Sequence, residues 1–290
     1  MGSCPVAPLA WERPPQAPFW ASLGGRLEWA APAGAAALPP ALTPEAPALR
    51  PRSPIPILES GEPLESIPPA LLRLEPHPYL ALGAPYGAQA DPFRLRSGVV
   101  QQLLAAERHL AALGPGCRLL IFDAWRPLAV QRFMVAQAIG EQCRLQGVDP
   151  QEPSAALAAI VTEVGRFWAP PSDDPATPPP HSTGAAVDLT LAAVAGAAGE
   201  AQPLDLGSPI DAIGAVSEPD HFSAAARAMP TAEAAHWHGR RQLLRQVMET
   251  AGFAQHPNEW WHFSLGDQLW AWRTGAQTAR YGRWLAESDV

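Results

Sequence analysis

His181-Ser-Thr-Gly-Ala-Ala-Val-Asp188 runs directly into Leu189-Thr-Leu191. From Ala185 onward the residues alternate and are rich in β-formers, which predicts a strand carrying Asp188, entered through a tight turn at Gly184. A second stretch, Glu259-Trp-Trp-His262, opens another short β-type run from Trp260 to Leu265. Together the two supply two imidazoles and one carboxylate that could hold a metal, and they leave the Glu259 carboxylate over for proton transfer. Zinc in hydrolytic sites is usually held by three protein ligands of His, Asp or Glu type, with water in the open position. The pattern therefore reads as a zinc peptidase built on a small sheet.

The spacing of the second stretch adds a condition. On a regular strand, residues three apart point to opposite faces. Glu259 must therefore sit in the turn before the strand, or at a bulge, to share a face with His262, and Pro257-Asn258 makes the turn reasonable.

Around these stretches the chain has 290 residues, enough to bury a sizeable core. Hydrophobic residues make up 47% and charged residues 17%, which predicts a globular body. About half of the 35 prolines precede Tyr79, so residues 1–60 read as an irregular Pro/Ala-rich extension and 61–290 as the domain, with a Trp-rich tail from Asp267. Trp11, Phe19, Trp20 and Trp29 make that extension more apolar than a solvated linker needs. A net charge of −8 with no basic stripe argues against nucleic acid and anionic membrane as partners. No run reaches the roughly 18 apolar residues of a membrane span. The N-terminus lacks a secretory pattern, and Cys4, Cys117 and Cys143 form no disulfide framework. A soluble cytoplasmic protein with reduced thiols is the expectation, and the composition leaves room for a homo-oligomer.

The remaining elements follow from periodicity. Tyr79-Leu-Ala-Leu predicts a short strand. Ser97–Leu113 carries Val99, Leu103, Leu104 and Leu110 at helical spacing, with Ser97 as cap and Gly114-Pro-Gly116 as stop. Arg118-Leu-Leu-Ile-Phe-Asp123 suits a buried strand, and it leads through Asp123-Ala-Trp-Arg126-Pro into a helix from Leu128 to about Gln146. A further helix covers Pro153–Phe167, with Ser154 near its start. Residues 170–180 form a loop, and Ala192–Phe222 is loop-like. Thr231–Thr250 is a helix capped by Thr231, with Leu243, Leu244, Val247 and Met248 inward and Gly252 closing it.

Six of the eight histidines (His77, His109, His221, His236, His238 and His256) take the ordinary reading of surface or satisfied core residues. His181 and His262 differ, because each has a carboxylate at a defined offset.

With both pairs and Asp123-x-x-Arg126-Pro in order, the chain resembles the D-alanyl-D-alanine dipeptidases of the vancomycin-resistance type, within the M15 zinc peptidases. The resemblance covers roughly Tyr79–Leu265. It also rests on Gly207-Ser-Pro-Ile-Asp211 and on Arg240-Arg-Gln-Leu-Leu-Arg leading to Glu259. It implies one Zn2+ per chain held by His181, Asp188 and His262, with Glu259 as general base and Arg126 stabilising the tetrahedral intermediate. Asp211 would match the acidic residue near the substrate's amino end, and Tyr79 the pocket tyrosine. Pro179 stands where the best-known members carry a Ser, which removes a hydrogen-bond donor from the pocket.

The implied fold is α+β: a small, mainly antiparallel sheet carrying the zinc site, flanked by helices, with a Pro-rich irregular extension. The implied function is hydrolysis of a small D-amino-acid dipeptide of the D-Ala-D-Ala type, within peptidoglycan metabolism. The alternatives are a D,D-carboxypeptidase or peptidoglycan endopeptidase of the same superfamily, and a non-catalytic zinc-binding module.

Overall fold

A computed structural model describes residues 54–87, 91–114, 116–195, 200–230 and 232–285. The central sheet is built on the two strands that sequence alternation marks out. Strand β4 (Cys117–Asp123) pairs antiparallel with β5 (Ala186–Ala195), and β5 pairs antiparallel with β8 (His262–Ser264). At the edges, β2 (Leu72–Arg73) runs parallel to β4 and β7 (Ala254–Gln255) runs antiparallel to β8; β6 (Glu200–Pro203) adds to β5. A separate two-stranded ribbon joins β1 (Leu64–Ser66) to β3 (Arg94–Arg96). The expected α+β fold with a mainly antiparallel sheet is what forms.

Strand alternation sorts the side chains into two layers. Leu119, Ile121, Val187, Leu189, Leu191 and Phe263 face one core, where α2 (Ser97–Leu113) and α6 (Glu233–Thr250) cover the sheet with Val99, Leu103, Leu110, Leu244 and Val247. On the opposite side Tyr79 and Phe122 meet α3 (Leu128–Gln146) and α4 (Ala155–Val164) through Val130, Met134, Ile139 and Ile160, with Trp168 beyond the end of α4 in the same cluster. Asp188 is the direct cross-strand neighbour of His262, and such pairs stand on one face. A bulge between Ile121 and Asp123 shifts the register so that Asp123 also lies opposite Asp188, a re-aiming that bulges commonly provide.

Several helix ends differ from expectation. Tyr79-Leu-Ala lies in a short helix, α1 (Pro78–Ala81), instead of a strand. Pro78 at its first position and the His77 ring accepting the Leu80 N–H outweigh the apolar run. Helix α2 is capped from a distance: Glu62 accepts the Gly98 N–H at 2.7 Å and the Ser97 hydroxyl at 3.3 Å. Ser154 does cap α4, through the Leu157 N–H. The cap expected at Thr231, and the four aromatics of the extension, lie outside the described residues. Within the stretch read as loop, β5 runs on to Ala195 and β6 pairs with it, because a hairpin ladder needs no side-chain pattern from Ala-rich sequence. The tail forms α7 (Gln268–Thr274). Cys143 is a free, buried thiol, and Cys4 lies outside the described residues. No described helix is long and apolar enough to cross a membrane.

Candidate metal centre and active site

The chain reaches the site from two directions. A 3-10 turn, Pro180–Thr183, delivers His181 and ends at Gly184 in the left-handed region (φ 70°), from which β5 departs. A Cβ at Gly184 would collide with the Leu64 side chain, so both backbone and space require glycine there. From the other side, Pro257-Asn258 turns, Glu259 follows outside any strand, and β8 begins at His262. Glu259 therefore stands on the His262 face, with Glu259 Oε2 3.5 Å from His262 Nδ1.

His181, Asp188 and His262 converge, all buried. His181 Nε2 lies 3.2 Å from Asp188 Oδ2 and 3.2 Å from His262 Nδ1, which is 3.1 Å from Asp188 Oδ1. Hydrogen bonding settles which ring nitrogens are available. The Ala124 carbonyl can only accept, so His181 Nδ1–H donates to it at 2.7 Å, leaving a lone pair on Nε2. The Ser264 hydroxyl donates to Asp267 at 2.8 Å, so it accepts from His262 Nε2–H at 3.3 Å and leaves a lone pair on Nδ1. Two lone pairs and a carboxylate then face one point, and Asp188 Oδ1 is buried with no hydrogen-bond partner among the described residues. Such a set, with each imidazole oriented by an outer partner, fits a metal cation. Burial favours protonation of Asp188, yet His181 and His262 together hold it well below the usual carboxylate range. Burial pushes His262 below its ordinary value, against the pull of Asp188.

Arg126 sits beside this cluster. It makes the ion pair with Asp123, donating from Nε at 3.1 Å and from Nη2 at 2.8 Å to Oδ2. Nη1 donates to Gln131 at 2.9 Å, and the plane lies 5.1 Å from the Tyr79 ring and 5.0 Å from the Trp168 ring. Nη2 also reaches Asp188 Oδ2 at 3.3 Å, so a rigidly held guanidinium edge faces the cluster. Asp123 is fully buried and also meets the His77 ring and the Tyr86 hydroxyl, each at 3.0 Å. Burial would raise its pKa, but Arg126 and the His77 hydrogen bond prevail and hold it at about 2.

A cavity of 270 Å³, lined by Arg126, Asp188, Asp211, Glu259, His262 and Trp272, opens over the cluster. Ligand pockets run roughly 300–1,000 Å³, so this one suits a small molecule. Asp211 has a left-handed backbone (φ 67°) and accepts from the Tyr79 hydroxyl at 2.9 and 3.1 Å. Among the described residues it has no ion pair, and burial followed by repulsion from Asp188 raises its pKa to about 7. Six of the seven residues singled out from the sequence thus border one space, and the buried Tyr79 reaches it only through its hydrogen bonds to Asp211. Two that the sequence left as ordinary also belong here: His77 supports Asp123, and His256 Nδ1 lies 3.5 Å from Glu259 Oε1. Their only signals were closeness in the chain to Tyr79 and Glu259.

The family model described as Peptidase_M15, D-ala-D-ala dipeptidase, matches residues 73–279. The chain belongs to this M15 peptidase family. This M15 chain is 42% identical over 229 residues to a D-alanyl-D-alanine dipeptidase of Synechocystis sp., covering 78% of the chain and 90% of that relative. It is 30% identical over 170 residues to the D-alanyl-D-alanine dipeptidase of Enterococcus faecalis, covering 59% and 72% respectively. A Streptomyces coelicolor relative with the same description is 32% identical over 153 residues, 53% of this chain and 64% of that one.

Proposed function

We propose that the chain is a zinc-dependent D-alanyl-D-alanine dipeptidase that hydrolyses D-Ala-D-Ala-type dipeptides in peptidoglycan metabolism. Family membership and the dipeptidase relatives support the reaction class. The observation that carries the substrate class is Asp211, a carboxylate that has no ion pair among the described residues and stands at the wall of a small cavity, within reach of the same space as the metal cluster. A free dipeptide brings an ammonium group that such a carboxylate would pair with; an N-acylated peptide does not.

Zinc fits the three-residue cluster. Tetrahedral ligands about 2.0–2.1 Å from the ion lie roughly 3.3 Å apart; here the two imidazole nitrogens are 3.2 Å apart, and each lies 3.1–3.2 Å from a different one of the two Asp188 oxygens. Bound there, zinc would polarise the scissile carbonyl and acidify a water. The remaining work falls to side chains. Glu259 takes a proton from the attacking water and delivers it to the leaving nitrogen, so that water adds across the C–N bond and two D-alanines result. Arg126 meets the negative charge that grows on the carbonyl oxygen, with no reorganisation because Asp123, Gln131 and two rings already fix its plane. Asp211 and Tyr79 hold the amino end.

Chelation followed by reloading tests the reading. D-Alanine release from D-Ala-D-Ala should vanish with the metal and return as zinc approaches about one equivalent. Release that persists in fully chelated protein would overturn it.

A further inference from the structure

The segments on either side of the family-matching region meet behind the metal-bearing turn. Ile57 bridges Ala279 in parallel, the Leu58 N–H donates to the Ala279 carbonyl at 2.9 Å, and Glu59 accepts the Gly282 N–H at 2.7 Å. Between these segments and the turn lies Arg96, only 1% exposed. Its Nη1 donates to the Glu62 carbonyl at 2.6 Å and to Glu59 at 3.1 Å, and its Nη2 donates to the Gly282 carbonyl at 3.0 Å. The guanidinium also stacks 5.3 Å from the Tyr281 ring and 4.8 Å from the Trp284 ring.

The three residues that follow His181 are all held from this side. Ser182 O accepts the Trp284 N–H at 2.9 Å, Thr183 O accepts Arg96 Nε–H at 2.8 Å, and Gly184 O accepts the Arg96 N–H at 2.8 Å. The His181 ring is fixed on its other side by the Ala124 carbonyl. A chain that continued only from residue 73 to residue 279 would lack Glu59, Glu62, Gly282 and Trp284, and so most of what neutralises and orients Arg96.

We propose that Arg96, closed in by residues 57–62 and 279–284, is a positioning residue for the metal centre, resting on the zinc reading above: it holds the His181 turn in its liganding conformation and so slows metal release. The upstream strap and the Trp-rich tail thereby acquire a role in the site. A His ligand whose loop must be reordered at each binding event holds a metal less tightly than one already in place, and outer partners of metal ligands typically govern about 10–100-fold in affinity.

The test is zinc release from the full-length, zinc-loaded protein into excess chelator. Arg96→Lys and Trp284→Ala are compared with Leu110→Ala, which removes buried volume in the α2 core. The clamp variants should release zinc about tenfold to a hundredfold faster, while Leu110→Ala lowers the unfolding temperature without quickening release. Arg96→Lys keeps the charge and Trp284→Ala leaves the backbone donor, so at least one folded variant is available. Wild-type release rates in the folded clamp variants, or equal acceleration in Leu110→Ala, would overturn the clamp. A wild-type chain that takes up no zinc would overturn the zinc reading itself.

Discussion

Replacing Asp211 with Asn should strengthen the metal-free fold above neutral pH and at the same time weaken substrate binding. Its carboxyl is raised from 3.8 to about 7, about three units at 1.36 kcal/mol each, so ionising it in the folded chain costs up to about 4 kcal/mol. The sign follows from proton binding. Between the unfolded value near 4 and the folded value near 7, the native state holds the proton and the unfolded state does not. Stability therefore falls as pH rises through that window, and the full penalty stands above pH 7. Asparagine never ionises, so the variant's advantage in urea unfolding should be small near pH 4 and grow by up to about 4 kcal/mol by pH 8. The metal-free protein is the right sample, because a nearby dication would pull the Asp211 pKa down. With substrate the same charge acts the other way. Removing one member of a buried charge pair costs about 2–5 kcal/mol, which is roughly 30-fold to several thousand-fold in KM for D-Ala-D-Ala. A stability difference that does not change with pH, or a KM within about threefold of wild type, would refute the reasoning.

Other substitutions separate the remaining roles. Glu259→Gln should lower turnover by roughly 10²–10⁴-fold while metal analysis still finds bound zinc; loss of the metal would make Glu259 a ligand instead. Arg126→Lys should reduce kcat by about 10²–10³-fold in steady-state assays, because an ammonium cannot span Asp123 and Gln131 while presenting an edge to the cavity. Ser264→Ala breaks the chain from Asp267 to His262 Nε2; chelator competition should show metal affinity down about 10–100-fold, with kcat of the fully loaded enzyme close to wild type.

Much of this arrangement was legible in the sequence because it is carried by local signals. The alternation from Ala185 to Leu191 marks β5 and puts Asp188 on the face opposite Val187 and Leu189. The requirement that Glu259 precede its strand follows from the two-residue period, and β8 does begin only at His262. The boundaries of α2 and α3 follow from helical spacing bounded by Gly114 and Pro127. What was not legible depends on partners far away in the chain. Glu62 caps α2 from 36 residues upstream of Gly98, and Ser97, a good cap by type, was the nearer candidate. His77 looked like any isolated histidine until the fold set it on Asp123, 46 residues later. The bulge that brings Asp123 beside Asp188 leaves no mark in Leu-Leu-Ile-Phe-Asp, since an extra residue in a strand changes register but not composition. The strap and tail were recognisable as Pro-rich and Trp-rich, yet their convergence on Arg96 joins it to Gly282, 186 residues away, and to Trp284 beyond that.

A metal cluster and a carboxylate with no ion pair among the described residues would together select a short peptide with a free amine. That selection is tested most directly by kcat/KM of the zinc-loaded protein on D-Ala-D-Ala, measured beside its N-acetylated form. Rapid D-alanine release is expected from the free dipeptide, with a rate at least about 100-fold lower when acetylation removes the charge that Asp211 would meet. Equal or faster cleavage of the acetylated peptide would contradict it and place the chain among the D,D-carboxypeptidases, and cleavage of neither by the zinc-loaded protein would leave the cluster a structural metal site.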